Sequence, residues 1–358
     1  MDTVYIGLDL HKRSATFCVK TKDGSVLERR KCATSAETFH QYLRRFTSKY
    51  QTHLAFEPVH EWYAYADVFD KTGAIVHLAN PLKVKAIADA RIKTDTIDAE
   101  VLCDLLRGNL LPEAYYAPAC VREWKELART RASLIQIRTQ AKNKIHALLA
   151  KCGVRKTVSG VFGAHGRQWL KSLSLPASFD DALDYYLSLV EHLDEQIRTC
   201  DKQVRHMADH LPEARLLMSI PGIGHVSALT IMAEIGDISR FANAKKLQSY
   251  AGLVPSVYSS GGHTRNGAIT KQGSRWLRWI LIEAAHHQIR ATRVPGLAGY
   301  YRRMQYRAGT NTAAVATARK LCGVIWRVLT DEREYQPRLS QCSRMPAREV
   351  SSTPSSGK

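Results

Sequence analysis

The feature that most limits the fold is an acid set into an apolar strand, Ile6-Gly7-Leu8-Asp9-Leu10, where its neighbours are patterned for burial. A lone carboxylate is costly to bury there, so the chain must supply it with a partner or a cation. Around it the pattern reads strand Val4–Leu10, strand Thr16–Lys20, an Asp23-Gly24 turn and strand Val26–Lys31, an antiparallel meander. A helix over Ala36–Ser48, a strand His53–Glu57, a helix Trp62–Lys71 and a strand Ala74–Leu78 follow. Three strands, helix, strand, helix, strand is the order of the ribonuclease-H-like fold. Two further helices, Leu82–Ala90 and Thr96–Arg107, complete an α/β domain expected over 1–118, with Pro112 and Pro118 breaking the pattern.

With 358 residues, more than one domain is expected. From Arg122 to Lys151 apolar residues recur three or four apart, and a Gly- and Ser-containing loop over Cys152–Gly166 leads to a second such helix. Its seam of Leu183, Tyr186, Val190, Leu193, Ile197, Cys200 and Val204 suits a coiled coil, within one chain or between two. Residues 119–210 therefore read as an α-helical connector. Residues 211–333 form a mainly helical C-terminal domain, and the Ser-, Pro- and Arg-rich tail over 334–358 is expected to be disordered.

The balance of 52 Lys and Arg against 33 Asp and Glu gives +19, the electrostatic footprint of a polyanion binder. Between Arg265 and Lys320 the cations face one acid, Glu283. No apolar run is long enough to cross a membrane and no signal peptide precedes Val4, so a cytoplasmic, nucleoid-associated protein without a membrane partner is expected. The eight cysteines are scattered without a C-x-x-C pair, which argues against zinc and disulfides.

Glu57 ends the fourth strand, which in the proposed order lies beside the first. Asp95 and Asp98 stand three apart at a helix start and project from nearly one face. Taken alone, Asp95 suits a helix N-cap. Together, Asp9, Glu57, Asp95 and Asp98 make an oxygen-ligand set for one or two Mg²⁺ ions in phosphodiester chemistry.

In the C-terminal domain, Ser219-Ile220-Pro221-Gly222-Ile223-Gly224-His225 has the form of a helix-hairpin-helix turn, where Gly222 and Gly224 would let backbone N–H groups approach a phosphate. The stretch Ser256–Arg265 reads as a polar linker, and no nucleophile can be chosen among Ser256, Ser259 and Ser260 from the residues alone. Arg265, Lys271, Arg275 and Arg278 supply cations for nucleic-acid phosphates.

The motifs Gly7-Leu8-Asp9-Leu10-His11-Lys12, Phe56-Glu57, Lys93-Thr94-Asp95-Thr96-Ile97-Asp98-Ala99, Ile220-Pro221-Gly222-Ile223-Gly224, Ala251-Gly252-Leu253-Val254-Pro255 and Ser260-Gly261 carry a resemblance. From Tyr5 to about Leu329 the chain resembles the DEDD transposases of the insertion sequence 110 family, whose recognised members are guided by a bridge RNA. The resemblance implies a RuvC-like domain holding the four acids, a coiled-coil connector, and a transposase domain whose nucleophilic serine falls on Ser260. It implies an RNA-guided DNA recombinase that forms a phosphoserine link, with target and donor DNA and the bridge RNA as partners. It also implies a homodimer assembling to a tetramer. The competing readings are a metal-dependent junction resolvase that hydrolyses DNA and a non-catalytic nucleic-acid-binding protein.

Overall fold

The computed structural model describes residues 2–87, 94–260, 263–290 and 297–336, and the chain divides into two compact units after Arg122. The first unit is a five-stranded sheet of β1 (Thr3–Leu10), β2 (Ser14–Thr21), β3 (Val26–Ala33), β4 (Gln51–Phe56) and β5 (Ile75–Leu78) in the order β3-β2-β1-β4-β5. β1 is antiparallel to β2 and parallel to β4. Its helices are α1 (Ala36–Thr47), α2 (Trp62–Thr72), α3 (Pro81–Ile87) and α4 (Asp95–Arg107).

Period-two patterning decides which helix goes on which face. Val4, Ile6, Leu8 and Leu10 bury one side of β1 against Phe39 and Leu43 of α1 and Phe69 of α2. α1 starts on the Ser35 hydroxyl, which accepts from Thr38 N, and α2 stops at Gly73 with φ +80°. The opposite side of β1 presents Tyr5, Gly7 and Asp9. Here α4 lies so close that a Cβ on Gly7 would sit 1.9 Å from the Ala99 carbonyl oxygen. The position of α4 therefore depends on a missing methyl.

Ion pairs hold the rest of α4 down. Lys20 of β2 reaches Glu100 at 2.9 Å and Asp104 at 2.7 Å, and Arg29 of β3 reaches Glu100 at 2.9 Å. Lys20 is nearly buried, so its charge requires these acids. Gly7→Ala is expected to destabilise the N-terminal unit by about 3 kcal/mol, the upper range for overpacking, because the obstacle is backbone. Thermal unfolding checks this: an unchanged melting temperature would mean that α4 can shift outward freely.

In the second unit α5 (Ala119–Lys151, continuing across the division), α6 (Ala164–Lys171) and α7 (Ala177–His210) come first. α5 and α7 run antiparallel, with Arg131 paired to Asp201 and Arg138 to Asp194. Ile145 and Leu148 pack with Leu183, Leu187 and Val190. Leu183 and Val190 of the α7 seam thus pack within the chain.

α8 (Pro212–Met218), α9 (His225–Ile235), α10 (Ala244–Tyr250), β6 (Pro255–Ser260), β7 (His263–Ile269), α11 (Arg275–Arg290), α12 (Leu297–Ala308) and α13 (Thr310–Thr330) complete the unit. Leu217, Leu229, Leu247, Leu281, Leu321 and Ile325 share its core. The segment expected as a polar linker is instead a two-stranded antiparallel ribbon, in which Tyr258 pairs with Arg265 and Ser260 with His263. Its β-branched and aromatic residues among the serines, with Gly261-Gly262 between the strands, favour pairing over a linker. The expected tail disorder falls, beyond Gln336, outside the described residues. Among the described residues no helix is long and apolar enough to cross a membrane.

Candidate metal centre and serine strand

Four neighbouring strands and one helix start build the acidic site. Asp9 pairs across the sheet with Thr16, and Thr16 with Lys31, so these side chains share the face covered by α4. β4 pairs Phe56 with Leu8, which puts Glu57, one residue on, at the level of Asp9 on the neighbouring strand end. α4 delivers the other two acids. Its N-cap is Thr94, whose hydroxyl accepts from Ile97 N, so the N-cap role suggested for Asp95 belongs one residue earlier. Asp95 is thereby released into the first turn.

His11 Nε2 lies 3.0 Å from Oδ2 of Asp9 and 3.6 Å from Oδ1 of Asp95. One ligand atom from each of the three falls within 4.8 Å of the others. Among the described residues this is the cluster close enough to hold one ion. Asp98 is exposed and acts on Asp9 through its charge, while Glu57 is placed by strand register and stands outside the three-residue cluster.

Electrostatics shows what such a site wants. Burial raises the Asp9 carboxyl above its ordinary value; His11 opposes the rise, and the charges of Asp95 and Asp98 add to it. Asp95 is held below its ordinary value by a hydrogen bond from Lys31 Nζ at 2.8 Å. A half-buried carboxylate beside like charges, with oxygen donors and one imidazole in reach, fits a hard divalent cation. Such an ion would be held by Asp9 and Asp95, with Glu57, Asp98 and His11 around it.

His11 and Lys31 were not singled out in the sequence. The signal for His11 was its place two residues beyond Asp9. Lys31 could be found only through the Asp9–Thr16–Lys31 row, which needs the register.

The second unit carries the serine and the cations. Ser260 is the last residue of β6, and its side chain lies outside the described atoms. Arg265 on β7, Lys271 and Arg275 are exposed. Arg278 differs: its Nη1 donates to the carbonyls of Ala251 at 3.1 Å and Lys271 at 3.2 Å, tying the turn before β6 to the loop after β7. That guanidinium is bound to its own backbone.

Beneath this loop, Glu234 is buried and accepts from Arg129 Nη2 at 2.6 Å and from Ser274 Oγ at 2.8 Å. Ser274 in turn accepts from Leu277 N and caps α11. Lys125 is buried close by, which lowers its ammonium to about 8.

Gly222 has φ +84°, and a Cβ there would meet Gln288 of α11 at 2.7 Å. Its packing alone requires glycine. Gly224 is the N-cap of α9 and faces open space, next to a cleft of about 600 Å³ lined by Arg205, His225, His287 and the paired Arg131 and Asp201. An anion has backbone N–H groups and cations to meet there.

Residues 6–153 match the family model of the IS110-type DEDD transposases, described as a transposase, and residues 214–302 match the transposase IS116/IS110/IS902 family. Together the two matches span more than half of the chain. The chain is 26% identical to the transposase for insertion sequence element IS1328 of Yersinia enterocolitica, covering 91% of this chain and 96% of that protein. It is 24% identical to the transposase for insertion sequence element IS1111A of Coxiella burnetii, covering 94% and 92%. It is 28% identical to a pilin gene-inverting protein of Moraxella bovis, over 74% of this chain and 76% of that one.

Proposed function

This chain belongs to the IS110 family of transposases, enzymes that recombine DNA, and on that basis we propose that it is an RNA-guided recombinase of an insertion sequence working through Ser260 and a Mg²⁺-binding acid cluster. The observation that carries the metal half is the convergence of Asp9, Asp95 and His11, with the charge of Asp98 acting on Asp9. When bound, one or two Mg²⁺ ions there supply stabilisation of the charge that develops on phosphate oxygens. Glu57, on the adjacent strand end, completes the DEDD set in a RuvC-like domain.

In the serine half, the Ser260 oxygen bonds to phosphorus as the bond from phosphorus to a sugar oxygen breaks, and the serine proton ends on the departing hydroxyl. The phosphoserine link keeps the energy of the broken bond. A DNA hydroxyl then attacks it, restores the serine and reseals the strand without ATP. Similarity to a pilin gene-inverting protein supports resealing, because inverting a segment requires cut strands to be rejoined. Gly224, Arg265, Lys271 and Arg275 hold nucleic-acid backbone, as do Gly222 and Arg278 through the segments they brace.

Target and donor DNA are read by pairing to a bridge RNA, so the protein contacts mainly phosphate and RNA shape, consistent with its net charge of +19. Residues 1–118, 119–210 and 211–333 act as RuvC-like domain, coiled-coil connector and transposase domain with a helix-hairpin-helix turn. The active species is a tetramer of two homodimers.

The test is to co-express the chain with its flanking non-coding sequence, purify it, and add donor and target DNA with Mg²⁺. A defined co-purifying RNA and a covalent protein–DNA product are expected. Cut DNA with no covalent product would instead mark a hydrolytic junction resolvase.

A further inference from the structure

The basic helices after the serine ribbon hold an aromatic pair that the reading above does not use. Tyr306 of α12 is 95% exposed. Single exposed aromatics are common on protein surfaces, so the setting decides. Arg302 and Arg303 lie one helical turn before it and Arg307 directly after, all exposed. Between Glu283 and Asp331 the sequence contains no acid. Ala298 and Tyr301 form the buried side of α12, and Tyr301 packs on Ala313 and Ala314 of α13, so the outward face is held in place.

Beside this face runs a groove of about 670 Å³, lined by Tyr300, Arg302, Arg303, Tyr306, Arg307 and Lys320. Lys320 Nζ stands 3.7 Å over the Tyr300 ring. A second groove of about 740 Å³ shares Tyr300 and Lys320, and continues past Arg319 and Lys271 to Pro255 of β6 and Gly267 of β7. The two grooves adjoin at Tyr300 and Lys320, and the second ends at the base of the ribbon that carries Ser260.

We propose that these adjoining grooves bind an unpaired nucleic-acid strand, with Tyr306 stacking on a base and Arg302, Arg303 and Arg307 holding the flanking phosphates. The proposal rests on the reading of this chain as a nucleic-acid enzyme and narrows it to the state of the strand. Cations alone bind paired and unpaired polyanions alike. A stacking ring needs the open face of a base, which only an unpaired strand offers. A strand stacked on Tyr306 and led past Tyr300 reaches the serine ribbon, so the site selects melted nucleic acid for that end of the domain.

The test uses the full-length chain and fluorescence anisotropy at one fixed salt concentration. The probes are single-stranded RNA and single-stranded DNA of one mixed sequence, and the duplex DNA of that sequence. Tyr306→Ala is expected to weaken single-strand binding about tenfold, within the span of one lost base stack, and to leave duplex binding unchanged. Tyr306→Phe retains wild-type affinity because the ring remains. Arg302→Ala, Arg303→Ala and Arg307→Ala together reduce the slope of log affinity against log salt by about 2 for single strands. A loss confined to RNA assigns the groove to a guide strand, and a loss confined to DNA assigns it to a displaced strand; either supports the site. Unchanged single-strand affinity in Tyr306→Ala, or an equal loss for duplex, overturns it. Wild-type protein that binds none of the probes defeats the parent reading as well, and so is told apart from a failure of this groove.

Discussion

Asp9→Asn is expected to reduce Mg²⁺-dependent DNA cleavage at least about a thousand-fold, since a bound metal contributes several kcal/mol to the transition state and each 1.36 kcal/mol is tenfold in rate. Asparagine keeps the shape of the side chain and one oxygen for His11, while removing the charge. The folded state should not suffer. Asp9 is only 17% exposed at its side chain and lies near two further acids, so without a cation its charge opposes folding locally. The variant should therefore melt no lower than wild type in chelator, and should lack the rise in melting temperature expected of the wild type when Mg²⁺ is added. Cleavage within tenfold of wild type would remove Asp9 from the metal centre.

The second large effect is expected at the ribbon. Ser260→Ala should abolish covalent protein–DNA product, a fall of at least about 10⁴-fold by the scale of lost nucleophiles, while leaving DNA and RNA affinity intact. Ser259→Ala is the informative companion. It tests the neighbouring hydroxyl, which the residues alone do not separate from Ser260. Denaturing gels of labelled DNA after incubation with Mg²⁺ read the product directly. Covalent product that survives in Ser260→Ala and vanishes in Ser259→Ala would move the nucleophile by one residue.

How far the sequence could be read depended on the range of each signal. Strand alternation at Val4, Ile6 and Leu8, and the helix-strand order up to Leu78, are local patterns, and they placed Asp9 and the level of Glu57 without coordinates. Helix starts were less sharp: Thr94 takes the cap that Asp95 also suits, because both residue types satisfy a free N–H. Ser256–Arg265 has a linker's composition because its serines and glycines outweigh Val257 and Tyr258, whereas Gly-Gly between two extended runs is a turn signal. His11, Lys31 and Arg278 depend on partners brought in by register and packing. Lys31 meets Asp95 from 64 residues away. No periodicity could show that Arg278 is tied to Ala251 and Lys271.

The contact between Gly7 and Ala99 has a thermal consequence. The strand bearing Asp9 and the helix bearing Asp95 meet backbone to backbone, and no side chain in that contact can change rotamer to absorb a small displacement. The spacing of the two carboxylates is then a property of the whole unit. On heating, cation affinity should follow a single smooth line and end abruptly at the melting transition, with no earlier loosening of the site. An enzyme carried between hosts of different growth temperature would keep one metal geometry until it unfolds.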